Sequence, residues 1–172
     1  SLQHLTDADN IAIAAFLKGI DGDAGEVPQT LAAAGPTAMP PAEADAAGAD
    51  TTAMLTEASP DMPLGARLYL DNCSGCHFVT GKGAPEIFPE LAGNSLVTGS
   101  ETTPLISVIL NGAEVPSSAK RPMVLRMQGY GKRLSDSEVA ELATFVRTAW
   151  GNDAGAVTAA DVAAVRKASA TH

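Results

Sequence analysis

Cys73-Ser74-Gly75-Cys76-His77 is the stretch on which the reading of the chain turns. Two cysteines flank a two-residue gap and a histidine follows at once. This is the signature of c-type haem attachment. Each thiol can form a thioether to one vinyl group of the porphyrin, and the next residue then lies below the iron, where imidazole is a good axial ligand. The chain has two cysteines in all, so none remains for a disulfide. A thioredoxin-like dithiol would be expected near a βαβ pattern, and none surrounds this motif. Zinc would need further Cys or His ligands at suitable spacing, and the other histidines, His4 and His172, stand near the two ends.

Working outward, residues 64–77 read as a short helix with the attachment site at its C-terminal end. Pro63 precedes it, and Leu64, Leu68 and Tyr69 are expected to face inward, Tyr69 as core packing. Residues 78–100 read as a loop, with Gly81, Gly83, Pro85, Pro89, Gly93 and Gly99, that can wrap one face of a porphyrin. The histidine needs a partner for its second ring nitrogen. A backbone carbonyl of this loop is the natural candidate, and the reading takes that of Pro89. Residues 103–112 form a compact helix with Thr103 as N-cap, Pro104 at the first helical position and Gly112 as the stop. Residues 113–133 read as irregular. Residues 135–150 form a last helix, capped by Ser135 with Glu138 three on, with Val139, Leu142, Val146 and Trp150 along one face. The tail, 151–172, holds a weak helix from Thr158 and is expected to lie loosely on the surface.

The N-terminal side has a different character. Residues 1–20 read as an amphipathic helix with Thr6 as N-cap and Ile13, Phe16, Leu17 and Ile20 on one face. The stretch from Leu5 to Lys18 aligns without a gap with that from Leu134 to Arg147. Any two capped amphipathic helices share some of this pattern; the alternative is that residues 1–20 end a preceding unit of the same kind. Residues 21–63 are rich in Ala, Pro, Gly, Thr and acids and read as a semi-extended linker, its methionines (Met39, Met54, Met62) incidental.

The net charge is −9. Residues 1–63 carry ten acids against Lys18 alone, whereas 64–150 carry eight acids and eight bases. The excess lies outside the attachment segment. It argues against nucleic-acid binding, which wants a basic face, and is read as solubility and self-repulsion of the linker. The composition is 45% hydrophobic but 4% aromatic. Much of the apolar share is alanine, which buries little area, and a porphyrin would supply the missing apolar mass. No apolar run reaches membrane-spanning length. The chain opens on a polar, capped pattern and not on a basic-then-apolar leader. Haem attachment to cysteine takes place outside the cytoplasm, so a leader removed, or not part of this stretch, is expected.

An electron-transfer haem usually has a second protein ligand, and methionine raises the potential because its soft thioether favours reduced iron. Met123 and Met127 both sit in the loop before the last helix. Met127 is preferred: Tyr130 can pack beside it and Gly129 and Gly131 let the chain bend back. Met123 follows Pro122 and could equally be core.

Residues 64–150 resemble a class I cytochrome c domain, and most closely the third haem domain of the three-haem cytochrome subunits of membrane-bound bacterial dehydrogenases for alcohols, sugars or sugar acids. The stretches 65–77, 88–94, 108–113, 127–130 and 134–151 carry the resemblance, and 1–20 resembles the end of the second haem domain. The resemblance implies an all-α class I cytochrome c fold around one covalent haem c, with Met127 as sixth ligand and the Pro89 carbonyl partnering His77. It implies a periplasmic electron carrier, not an enzyme, whose partners are a flavin or quinone-cofactor dehydrogenase and other haem domains. The chain departs from the family in having Gln128 where a proline often follows the methionine, and in its long acidic linker. The competing classes are a haem enzyme or ligand sensor with an open iron position, which the methionine loop argues against, and a dithiol oxidoreductase, which would show no Soret band.

Substitution separates the two loop methionines. Met127→Ala is expected to abolish the methionine-to-iron charge-transfer absorption of the haem-loaded protein and to lower its potential, with Met123→Ala leaving both near wild-type values. The reverse pattern in the spectra moves the ligand to Met123.

Overall fold

The computed structural model describes residues 11, 13, 14, 46–85, 87–115, 117 and 124–169. The chain divides into two units, 1–41 and 42–172. In the first, Ile11, Ile13 and Ala14 are helical; the rest of the expected helix over 1–20 lies outside the described residues. The account below concerns the second unit.

Its described elements are helices α1 (Ala49–Glu57), α2 (Leu64–Asn72), α3 (Ser74–His77), α4 (Ser95–Thr98) and α5 (Thr103–Asn111), strands β1 (Gly112–Val115) and β2 (Leu125–Gln128), then helices α6 (Asp136–Thr148) and α7 (Ala159–Ser169). The unit is mostly helical, as expected, with one small antiparallel sheet that was not.

The most extensive contact is that of α2 with α6. Pro63 precedes α2 without needing a backbone N–H. Leu68, Tyr69 and Ala66 of α2 are buried, as are Val139, Leu142, Ala143 and Val146 of α6. The α6 start is a capping box: the Ser135 hydroxyl accepts from the Glu138 N–H, and the Glu138 carboxylate accepts from the Ser135 N–H. The two helices approach so closely that a Cβ on Gly65 would lie 2.4 Å from the Glu141 carbonyl oxygen. Only glycine fits that crossing. Tyr69, Phe145 and Trp150 pack together beside it, with the Tyr69 and Trp150 ring centroids 4.9 Å apart. Such pairing adds about 0.5–1.5 kcal/mol to the area buried.

Arg147 is buried and has no carboxylate partner among the described residues. Its Nε donates to the Gly155 carbonyl (2.6 Å), and its Nη1 to those of Val97 (2.6 Å) and Gly99 (2.9 Å). One guanidinium thus closes the end of α4 and the start of the tail onto α6.

The structure departs from the sequence reading at Leu64, expected inward but 39% exposed, at α4, a helical turn inside the expected loop over 78–100, and in four larger features. First, the linker assigned to 21–63 does not extend to its C-terminal end: α1 is a helix, and Leu55 is 2% exposed. Met62 is buried and Met54 packs on the core, so neither is incidental. Leu55 is the one fully inward side chain of α1, too little to make an apolar period. Second, residues 113–133 are not all irregular. β1 and β2 pair from Gly112↔Gln128 to Val115↔Leu125, but four-residue strands give no visible alternation. Third, the tail is not loose. Val162 is fully buried, and Arg166 donates to Asp136 Oδ1 (2.7 Å), to the Leu134 carbonyl (3.0 Å) and to the Gly131 carbonyl. Fourth, α5 begins at Thr103, flanked by Thr102, and the helix expected over 64–77 breaks at Cys73 into α2 and α3. No helix among the described residues is long and apolar enough to cross a membrane.

Leu55→Ala tests whether α1 belongs to the folded unit. Truncation of a buried leucine is expected to lower the unfolding free energy by about 2–4 kcal/mol in denaturant titration. A solvated linker would keep the change within about 0.5 kcal/mol.

Candidate haem site

Cys73 ends α2 and α3 follows as a single turn, so the two thiols and the imidazole stand at a break between two helices. Cys76 is exposed and Cys73 half-buried. Burial pushes the Cys73 thiol up to about 12, with the neighbouring Cys76 adding to the rise. Reactive dithiols have depressed values, because the thiolate is the nucleophile. The burial of Cys73 runs against that requirement. Zinc fares no better, since no cluster of three or more His, Cys, Asp or Glu side chains occurs among the described residues.

His77 is buried, and its Nδ1 lies 2.9 Å from the Pro89 carbonyl oxygen. A carbonyl can only accept, so the proton sits on Nδ1 and Nε2 keeps its lone pair. Burial pulls the imidazole pKa below its ordinary value, opposed by the bond to Pro89. The neutral form is favoured, which is the form that ligates a metal.

The loop that brings Pro89 to His77 is tied down along its length. The Gly83 N–H donates to the His77 carbonyl (3.1 Å), the Leu91 N–H to that of Gly81 (2.7 Å), and Ala84 bridges Phe88. Gly81 has φ +66°, and a Cβ there would lie 2.5 Å from the Trp150 ring. No other residue serves at that turn. Tyr69 donates through its hydroxyl to the Phe78 carbonyl (2.6 Å), and Trp150 through Nε1 to that of Val79 (2.8 Å). Asn152 closes the far end. Its Oδ1 accepts from the Gly93 N–H (2.7 Å), while its Nδ2 donates to the carbonyls of Leu91 (3.2 Å) and Val146 (2.9 Å).

Tyr69 and Trp150 were read from the sequence as core packing. They are core, but each also sends its polar tip to this loop. A buried tyrosine or tryptophan needs such a partner, and that requirement was the available signal. Asn152 gave none, being one polar residue after a helix.

Met127 lies on β2 opposite Ala113, half-buried and packed against the core. Met123 lies outside the described residues. An open cleft of about 420 Å³ borders the histidine loop, lined by Ala84, Pro85, Ile87, Phe88, Pro89 and Val115 together with the charged Lys82 and Glu90; Cys73, Cys76, His77 and Met127 do not line it. Two thiols beside an imidazole whose Nε2 keeps its lone pair make up a donor set that suits haem c.

The cytochrome c family profile matches residues 63–150. Among curated proteins, the chain is 36% identical to the cytochrome c subunit of a quinone-type alcohol dehydrogenase from Gluconacetobacter polyoxogenes, over 99% of this chain and 33% of that protein. It is 34% identical to the cytochrome c subunit of gluconate 2-dehydrogenase from Pantoea cypripedii, over 97% of this chain and 35% of that one. Cytochrome c-552 of Thermus thermophilus is 33% identical over 51% of this chain and 69% of its own length. The chain thus spans about a third of the dehydrogenase subunits that it matches. The family works by electron transfer on covalently held haem c, not by turnover of a substrate, and the helical unit with its small sheet agrees with the class I fold. By both the profile and these relatives, the chain belongs to the cytochrome c family.

Proposed function

We propose that the chain carries one haem c, bound through Cys73 and Cys76 and ligated by His77 and Met127, and passes electrons from a dehydrogenase or a neighbouring haem to a respiratory acceptor on the periplasmic side. The observation that supports this most is the Nδ1 contact of His77 with the Pro89 carbonyl, immediately beside the paired thiols. It leaves Nε2 ready as a ligand. The names of the relatives, cytochrome c subunits of alcohol and gluconate dehydrogenases, support a dehydrogenase as donor. On the same reading, residues 1–20 end a preceding haem unit, and the haem domain runs from α1 to α7.

Haem, when bound, supplies a one-electron store that alternates between iron(II) and iron(III). The protein's own residues do the rest. Cys73 and Cys76 fix the porphyrin edge to α2 and α3. His77, oriented by Pro89, would offer its basic Nε2 as a ligand. The Met127 thioether would be the second donor, a soft ligand that favours the reduced state and raises the potential. The core helices and the wrapped loop hold His77, and the pairing of β1 with β2 holds Met127.

Material made with haem-maturation machinery is expected to show an intact mass equal to the chain plus one haem. Its reduced form is expected to leave carbon monoxide unbound, because both axial positions are filled. A colourless product, a mass with no haem or with two, or ready binding of carbon monoxide would contradict the reading.

A further inference from the structure

Tyr130 is 6% exposed, and its hydroxyl is used in both directions. It donates to the Asn72 carbonyl and accepts from Gln128 Nε2 at 3.2 Å. Asn72 is the last residue of α2 and adjoins Cys73. Helix ends leave carbonyls without intrahelical partners, and the Tyr130 hydroxyl reaches this one. Tyr130 also continues the path of β2: its N–H donates to the Ile109 carbonyl (2.9 Å) and the Gly131 N–H to that of Leu110 (2.9 Å). The Arg133 guanidinium lies over its ring, 5.8 Å from the centroid. Two residues separate Tyr130 from Met127. The phenol therefore joins the strand that carries the methionine to the helix end that carries the first cysteine. A phenylalanine would fill the same space and make no such link.

We propose that Tyr130 is a positioning residue whose hydroxyl latches the Met127 strand to the attachment helix, with Gln128 holding the phenol in place. The latch rests on the reading of Met127 as an axial ligand. It keeps the Met127 sulfur from swinging out when a competing ligand reaches the iron. Without the hydroxyl, the Asn72 carbonyl loses its donor and the strand end is held by backbone bonds alone.

The test uses the full haem-loaded chain as wild type, Tyr130→Phe, Gln128→Ala and Met127→Ala. It reads imidazole affinity of the oxidised form, the methionine-to-iron charge-transfer absorption, the midpoint potential, and amide hydrogen exchange at residues 127–129. Loss of one hydrogen bond from the closed state is expected to tighten imidazole binding about tenfold in Tyr130→Phe and to speed exchange at 127–129 by a similar factor. The absorption band persists there without imidazole, and the potential falls. Gln128→Ala shifts imidazole affinity about threefold in the same direction. Met127→Ala lacks the band and binds imidazole tightest.

If Tyr130→Phe stays within twofold of wild type in imidazole affinity with an unchanged potential while Met127→Ala departs, the latch is refuted and the ligation stands. A lower unfolding temperature alone, with affinity and potential unmoved, also refutes it. If Met127→Ala matches wild type in band and affinity, the ligation falls and the latch with it. Should Tyr130→Phe fail to take up haem, Gln128→Ala decides: threefold tighter imidazole binding supports the latch, and unchanged binding overturns it.

Discussion

A buried imidazole that is to ligate a metal must lose its freedom to rotate and to change tautomer, and in this chain one backbone carbonyl supplies both restraints. The Pro89 oxygen accepts the Nδ1 proton of His77. Proline has no N–H of its own, so at this position the backbone offers an acceptor and nothing that competes with it. The requirement then spreads outward. A carbonyl twelve residues along the chain stays at hydrogen-bond distance only if the intervening loop has one conformation. The turn at Gly81 against the Trp150 ring, the hydroxyl of Tyr69 and the side-chain amide of Asn152 together supply it.

Those anchors come from α2 and from the end of α6, the two helices whose crossing forms the core. Core packing and ligand geometry are therefore one problem here. Gly65 permits the close approach, the approach brings Tyr69 and Trp150 into edge contact, and their polar tips reach Phe78 and Val79. A chain with 4% aromatic residues concentrates three of them at this one junction. The rest of the described core is mostly aliphatic, built from Leu, Val and Ile.

The local signals were readable in advance because their chemistry is local. The spacing of Cys73, Cys76 and His77 needs no tertiary information, and neither does the Ser135–Glu138 box or the proline start and glycine stop of α5. The Pro89 carbonyl was within reach of inference because a histidine ligand needs a partner and the loop is short. What escaped depends on distant contacts. α1 shows a single inward leucine, and its neighbours Thr51 and Thr52 are weak helix formers. α7 is held by Arg166 reaching back to the stretch from Gly131 to Asp136, a pairing thirty or more residues apart in sequence. Asn152 and the Tyr130 hydroxyl do their work through backbone carbonyls, which leave no residue pattern.

His77 is thus over-determined by hydrogen bonds, whereas Met127 is held by the pairing of two short strands. A crystal structure of the haem-loaded chain tests the account most directly. It is expected to show His77 Nε2 on the iron, Nδ1 still donating to the Pro89 carbonyl, and the loop over 78–93 folded as described here. A Pro89 carbonyl turned away from the imidazole, or iron held by a group other than His77, would contradict it.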